Sequence, residues 1–170
     1  HLFRSMSKRI IVGTVLLTAT VFSLLWFFWP SEEDRIRVQF DELSGLVSKA
    51  EDSSPISDAL ALKNFPDLFC EEIVLETGNS TRLKGKYTNQ ELVRSYGRLR
   101  AYAKTIDLRF EILKFVSLDH GGAKVSVRVL ARVTEKRGKK HREDFNAEIL
   151  LLKREGEWRF ARFTSLLPSE

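Results

Sequence analysis

The stretch VSVRVLARV, residues 125–133, alternates small apolar side chains with polar or larger ones. A period of two is typical of a β-strand that buries one face against a core. The same period continues through residues 106–112, 145–151 and 158–163, and only short turns separate these segments. Long alternating strands joined by short turns predict an antiparallel meander.

Upstream of the meander the hydrophobic period lengthens to that of a helix. Residues 31–34, SEED, form a capping box, and apolar residues recur at helical spacing after it: Ile36, Phe40, Leu43 and Val47. Pro55 is well placed as the first residue of a second, short helix. Thr88 and Glu91 form another capping box, which predicts a third helix with Arg94, Arg98 and Arg100 on its polar side.

A predicted strand near residues 71–77 and a short extended segment at 82–87 complete the element order. That order resembles the NTF2-like superfamily, also called SnoaL-like or ketosteroid-isomerase-like. The similarity is best at residues 83–86, LKGK, with Glu91-Leu92-Val93 and Tyr96 after it, and at residues 156–160, GEWRF. The resemblance covers residues 31–167 and implies an α+β cone of three helices on a curved antiparallel sheet. Another α+β sandwich of helices on a sheet remains the alternative.

The predicted inward face of the meander is apolar. Seven of its residues are candidates for the lining of a pocket: Phe110, Val127, Val129, Phe145, Ile149, Trp158 and Phe160. The resemblance implies that enzymatic members hold a carboxylate base inside the cone, but none of these side chains can exchange a proton. We therefore expect a filled core or an apolar ligand pocket, with no catalytic, cofactor-binding or metal-ligating residue and no cofactor.

The opposite face of the meander carries large apolar side chains among charged ones. If the alternation holds, six of them form a candidate partner interface: Leu113, Phe115, Leu130, Leu150, Leu152 and Phe163. A large exposed apolar patch usually marks an interaction site. The alternative is that a β-bulge changes the parity within a strand and returns some of these residues to the core.

Charge and cysteine content narrow the class of partner. Residues 1–30 carry three basic residues and no acid, so the remaining chain has 25 basic against 23 acidic residues. That balance does not favour nucleic acid as a partner.

The predicted turn before the third meander strand concentrates positive charge and is a candidate contact for lipid headgroups, through Lys136, Arg137, Lys139 and Lys140. The alternative is a solvated turn. Cys70 is the only cysteine, which excludes an intramolecular disulfide.

Residues 10–29, IIVGTVLLTATVFSLLWFFW, are uncharged and long enough to cross a bilayer as a helix. We expect a short basic cytoplasmic tail at 1–9, a transmembrane helix at 10–29 and an extracytoplasmic NTF2-like domain at 31–170. The cationic residues before the span place the N-terminus in the cytoplasm and the domain in the periplasm or outside the cell. A cleaved signal peptide is the alternative, although the apolar run is long for one.

A single-pass protein of the inner membrane with such a domain resembles two bacterial groups, the scaffold subunits of type IV secretion machines and the Mce-associated membrane proteins of lipid-import complexes. Both resemblances imply a non-enzymatic scaffold or accessory subunit that contacts other membrane-complex subunits or a second copy of itself. The alternative function is a tethered binder of an apolar small molecule or lipid. An isomerase that acts on such a molecule ranks below the binder.

Overall fold

The computed structural model describes residues 30–76 and 84–166. Three helices lie in these ranges: α1 (Glu32–Val47), α2 (Pro55–Asn64) and α3 (Asn89–Tyr102), with a 3₁₀ turn at Phe65–Leu68. Six strands accompany them: β1 (Phe69–Glu76), β2 (Gly85–Thr88), β3 (Ala103–Leu118), β4 (Gly122–Glu135), β5 (Lys140–Arg154) and β6 (Glu157–Leu166). The predicted cytoplasmic tail (1–9) and transmembrane helix (10–29) lie outside the described residues. Within the described ranges, no helix is both long and apolar enough to cross a membrane.

The six strands form one sheet in the order β2-β1-β6-β5-β4-β3. Strands β3 to β6 are an antiparallel meander, which confirms the prediction from their alternation. The sheet also contains one parallel pair, because β1 lies beside β6 and runs in the same direction. The α+β class and the three helices are therefore as predicted, and the sheet is mostly, not wholly, antiparallel.

The helix starts follow the sequence signals. Ser31 Oγ accepts from the Asp34 amide at 3.1 Å, and the Ser31 amide donates to the Asp34 carboxylate at 3.2 Å. Helix α3 begins with the predicted reciprocal capping box between Thr88 and Glu91. Pro55 is the first residue of α2, and Ser54 caps it. Such caps satisfy backbone donors that have no partner inside the helix.

The core forms where α1 packs on the inner face of the sheet. Phe40 of α1 is buried, and its ring centroid lies 5.3 Å from that of Phe110 and 5.2 Å from that of Phe160. Val127 and Ile149 complete this region with no exposed surface. This end of the domain is therefore a filled core.

Bulges in β3 and β6 change the parity of these strands. In β3, Ile112 pairs with Val127 and Lys114 with Ser126, so one extra residue, Leu113, bulges out of the register. Phe115, two positions after the bulge, consequently points inward, where it packs on the core and lies beneath the Arg37 guanidinium. The prediction that placed Phe115 on the outer face is therefore wrong.

A second bulge has the same effect in β6. Phe160 pairs with Leu151 and Arg162 with Leu150, which leaves Ala161 as the extra residue. As a result Phe160 and Phe163 both point inward, although they are three positions apart. Phe163 is thus also a core residue and not part of the outer face, since each bulge adds one residue to the strand's period of two.

Arg100 joins the three helices from inside. Its side chain is 4% exposed, which corrects the prediction of a solvated residue. It donates to the carbonyls of Leu46 at 2.9 Å and Ser48 at 3.3 Å, at the end of α1, and to the Asp58 carboxylate of α2 at 2.5 Å. Lys49 in turn donates to the Arg100 carbonyl at 2.9 Å and pairs with Asp58 at 3.2 Å. Each cation thus satisfies carbonyls that a helix end leaves without partners.

Replacing Arg100 by methionine should lower the free energy of unfolding by about 3 kcal/mol, because it leaves Asp58 and the α1 carbonyls without their buried donor. Guanidinium unfolding followed by far-UV circular dichroism measures this loss. The exposed Arg98 of the same helix provides the matched control, and Arg98→Met should change stability by less than about 0.5 kcal/mol. Equal effects of the two substitutions would contradict the role of Arg100.

The Asp58 carboxylate makes stability depend on pH. Burial acts to raise the pKa of Asp58, but hydrogen bonds and charge from Arg100 and Lys49 outweigh it and hold that pKa below its usual 3.8. A lowered folded-state pKa adds stability above the unfolded pKa, and this stability disappears as the pH falls through the folded value.

Asp58→Asn should therefore destabilise the protein at neutral pH, and the difference from wild type should shrink steadily below about pH 4. Unfolding midpoints measured from pH 7 to pH 2.5 test this dependence. Asp41→Asn, an exposed change on α1, is the control and should show no such convergence. A gap between wild type and Asp58→Asn that stays constant over this range would contradict the ion pair's contribution.

Candidate functional site

A cavity of about 280 Å³ lies between the helices and the inner face of the sheet. Helix α1 contributes Leu43 and Val47 to its wall, α3 contributes Leu92, and the 3₁₀ turn contributes Phe65. The remaining lining residues come from strands β1 and β3 to β6: Phe69, Ile73, Leu75, Leu108, Phe110, Val129, Phe145, Ala147, Phe163 and Ser165. Ser165 is the only polar side chain in this described lining.

The sheet side of the wall is built from rows of cross-strand partners. Phe110 of β3 pairs with Val129 of β4, which pairs with Phe145 of β5. Ala147 and Ser165 form the adjacent pair across β5 and β6. The pairing brings together three of the predicted lining residues, because the alternation of each strand directs them to the same face.

The other four predicted lining residues lie behind the cavity. Val127, Ile149, Trp158 and Phe160 are at most 2% exposed and belong to the filled core, so their placement on a cavity wall is corrected. For Phe160 the physical reason is the Phe40 ring, which lies with its centroid 5.2 Å from that of Phe160 and fills the space against it.

The cavity opens toward the β4–β5 turn. Along the inner face of β5, side-chain exposure rises from 0% at Ile149 and 3% at Ala147 to 37% at Phe145. Glu143 and His141, the next residues on that face, are exposed. The mouth of the cavity is therefore at the level of Phe145, where an aromatic ring meets solvent.

The groups nearest the wall are committed to structural hydrogen bonds. Tyr96 stacks on the lining residue Phe65 with ring centroids 4.2 Å apart. Its hydroxyl donates to the Leu46 carbonyl and accepts from Arg100 at 2.7 Å, and burial raises the pKa of Tyr96 above its usual 10.0. Among the described residues, no group of three His, Cys, Asp or Glu side chains is placed to hold a metal ion. The cavity can therefore exclude water from an apolar group, and its wall offers one hydroxyl.

The outer face of the sheet retains three residues of the predicted partner interface. Leu130, Leu150 and Leu152 are only partly exposed there. Leu150, for example, has Lys124 and Arg162 as its cross-strand partners, and such stems cover apolar neighbours while their charged ends reach water. Leu113, the bulge residue, is 54% exposed.

The predicted headgroup contacts lie at the turn between β4 and β5. We call residues 136–142, KRGKKHR, the basic hairpin; Lys136, Arg137, Lys139 and Lys140 are all exposed in it. At its base, the buried Glu135 accepts from His141 at 2.5 Å. Hydrogen bonds from Tyr102 and then from His141 lower the pKa of Glu135 below its usual 4.5.

Sequence reasoning did not identify Glu135 or Tyr102 as members of this cluster. The alternation of β4 does carry a signal for Glu135, which continues the inward parity of Val133. Tyr102 had no such signal, because it ends a helix and reaches Glu135 only through the tertiary structure.

No protein-family model matches this sequence, and no curated protein matches it significantly. Solved structures do match. A candidate aromatic ring hydroxylase from Novosphingobium aromaticivorans is 14% identical with a TM-score of 0.65, over 84% of this chain and 94% of that one. A candidate scytalone dehydratase from the same organism is 12% identical with a TM-score of 0.64, over 80% and 85%.

An NTF-2 like protein of unknown function from Shewanella oneidensis is 15% identical with a TM-score of 0.57, over 79% of this chain and 98% of that one. These likenesses, together with the element order and the sheet, show that the domain has an NTF2-like fold. At such low identity they establish the fold alone.

The bulge in β3 predicts unequal losses of stability for two nearby residues. Phe115→Ala should cost about 2 kcal/mol of unfolding free energy, somewhat less than a fully buried phenylalanine, because its ring packs on the core. Leu113→Ala, at the exposed bulge position, is the matched control and should cost less than about 0.5 kcal/mol. Guanidinium unfolding of both variants measures the difference, and the reverse order would contradict the assigned parity.

Proposed function

We propose that this protein is a binder of an apolar small molecule or lipid chain, held in the cavity of its NTF2-like domain. The observation that carries the proposal is the lining, in which Ser165 is the one polar side chain among those described. Small-molecule sites are concave and mostly apolar, with a few polar groups that orient the ligand. We further propose that residues 10–29 anchor the chain in the inner membrane, with the domain on the extracytoplasmic side.

The size of the cavity supports a slender ligand. Its volume of about 280 Å³ lies just below the usual range for small-molecule sites, roughly 300–1,000 Å³. Each methylene group that leaves water for such a wall contributes about 0.8 kcal/mol. A single alkyl chain or a small ring system therefore suits it better than a bulky ligand.

The proposal is binding without turnover. Two of the similar structures carry the names of candidate enzymes, a ring hydroxylase and a scytalone dehydratase. A general base must come within hydrogen-bond reach of its substrate, and the described lining offers only the hydroxyl of Ser165. Tyr96, a titratable group that stacks on the lining residue Phe65, already makes hydrogen bonds with Leu46 and Arg100.

A scaffold role, through contacts with other membrane-complex subunits or a second copy, is the second candidate function. It is favoured by the apolar side chains at the end of β3, an edge strand of the sheet, where Leu113, Val116 and Leu118 are 54%, 44% and 37% exposed. Exposed apolar groups on an unpaired strand can pair with another chain. The partial cover over Leu130, Leu150 and Leu152 makes the centre of the sheet face a weaker candidate than this edge.

Filling the cavity tests the proposed binding. Ala147→Leu adds three carbon atoms and would occupy space for about three methylene groups, so it should weaken the binding of dansyl-labelled undecanoic acid about fiftyfold. The full chain, held in an amphipathic polymer, is titrated with the labelled acid, and unlabelled undecanoic acid is used as competitor. Ala101→Leu, the same enlargement at an exposed position of α3, should leave the affinity unchanged.

Thermal unfolding of both variants establishes that they remain folded. Saturable, competable binding that only Ala147→Leu weakens supports the proposal. Binding that fails to saturate, or that both variants weaken equally, would refute it.

A further inference from the structure

The basic hairpin concentrates positive charge that no described carboxylate pairs with directly. Its seven residues include five Lys or Arg side chains and no acid. Elsewhere on the sheet, cations pair with acids: Arg128 with Asp144 at 2.8 Å, for example, and Arg109 with Asp107 at 3.0 Å. Within the part of the chain that the structure describes, no carboxylate lies in ion-pair contact with the five cations of the hairpin.

Two carboxylates flank the hairpin in sequence: Glu143 is exposed, and Glu135 is withdrawn from the surface. Glu135 is 6% exposed and accepts hydrogen bonds from His141 and Tyr102. Its backbone also closes the turn, since the Glu135 amide donates to the Lys139 carbonyl and the Gly138 amide to the Glu135 carbonyl, both at 2.8 Å. Glu135 thus holds the shape of the turn, and its carboxylate is hydrogen-bonded within the domain.

The strands that carry the basic hairpin also form the cavity wall. Phe145, at the cavity mouth, lies five residues after the start of β5 at Lys140, which corresponds to about 17 Å along an extended strand. Glu143 and His141 occupy the same face between these points. The mouth of the cavity therefore opens toward the hairpin.

We propose that the basic hairpin binds the phosphates of an anionic phospholipid bilayer and so directs the cavity mouth toward the lipid surface. The contact goes beyond the proposed ligand binding, because the hairpin would bind phosphates even if the cavity remained empty. Lys and Arg side chains near an anionic bilayer each increase the affinity, by about fivefold per residue.

A bilayer fits this surface better than single-stranded nucleic acid does. Nucleic-acid grooves combine cations with aromatic side chains on which bases stack, and residues 136–142 contain no Phe, Tyr or Trp. The one exposed aromatic beside the hairpin is Tyr102, 52% exposed, whose carbonyl accepts from the Lys136 amide at 3.2 Å. A single tyrosine with a paired hydroxyl suits the headgroup region of a membrane.

Lysine acetylation of the full chain in lipid nanodiscs tests the proposal. Discs of phosphatidylcholine alone are compared with discs that contain phosphatidylglycerol, and mass spectrometry measures the modification rate of each lysine. Lys136, Lys139 and Lys140 should react at least threefold more slowly in the anionic discs, and added salt should abolish the protection. Lys63 and Lys124, exposed lysines away from the hairpin, are internal controls whose rates should not change to this extent.

A charge-reversed variant separates a specific contact from a general surface potential. Lys139→Glu with Lys140→Glu should remove the protection of Lys136 in anionic discs. The matched control, Lys114→Glu with Lys124→Glu, has the same net charge and should retain it. Far-UV circular dichroism establishes that each variant is folded; if the hairpin variant does not fold, the comparison of the two lipids with wild-type protein still decides the proposal.

Equal lysine rates in the two kinds of disc would overturn the proposal. So would protection of Lys136, Lys139 and Lys140 by single-stranded RNA in neutral discs with none from phosphatidylglycerol. Because neither measurement requires an occupied cavity, failure here leaves the ligand titration with Ala147→Leu as a separate test of the proposed function.

Discussion

The helical layer of this domain depends on one buried guanidinium. Arg100 reaches from α3 to the last carbonyls of α1 and to Asp58 of α2. Lys49, which follows α1, donates in turn to the Arg100 carbonyl near the end of α3. Helix ends leave carbonyls without partners, and burying them without donors costs free energy. Arg100 and Lys49 supply those donors, and Asp58 balances their charge. The position of α1, and with it one wall of the cavity, follows from this arrangement.

The inner face of the sheet changes character along its length. Near Ile149 the helices cover it completely, and Phe40 fills the space against Phe160. Near Phe145 the helices no longer cover this face, and a cavity with an apolar wall opens to solvent. The same face thus serves as hydrophobic core at one end and as a candidate ligand site at the other. The proposed binding function and the proposed lipid contact both rest on the open end.

The cations of the sheet also fall into two groups, those on its outer face and those in the basic hairpin. On its outer face, cations lie beside acids or beside leucines that their stems cover, as at Arg128 and Leu150. In the basic hairpin the cations lie together, and the adjoining Glu135 accepts hydrogen bonds from His141 and Tyr102. Paired charges on a solvated face contribute little to stability. A concentrated, unpaired group attracts phosphates, and this difference is why we assign a partner to the hairpin and none to the centre of the sheet.

The local patterns of the sequence determined the elements. The alternation in residues 125–133 and the caps at Ser31 and Thr88 predicted strands and helices that the structure contains, because these signals depend only on neighbouring residues. They also indicated an apolar inner face and placed Phe110, Val129 and Phe145 together on it.

Tertiary structure decided the rest. The bulges at Leu113 and Ala161 arise from pairing with the neighbouring strand, and they turn Phe115 and Phe163 inward against the pattern that their own strands suggest. Arg100 looks solvated in its own helix, since the carbonyls that it binds belong to residues more than fifty positions earlier. The boundary between core and cavity likewise depends on where Phe40 and the end of α1 lie over the sheet. Contacts between residues distant in sequence set these features, and no local period or cap encodes them.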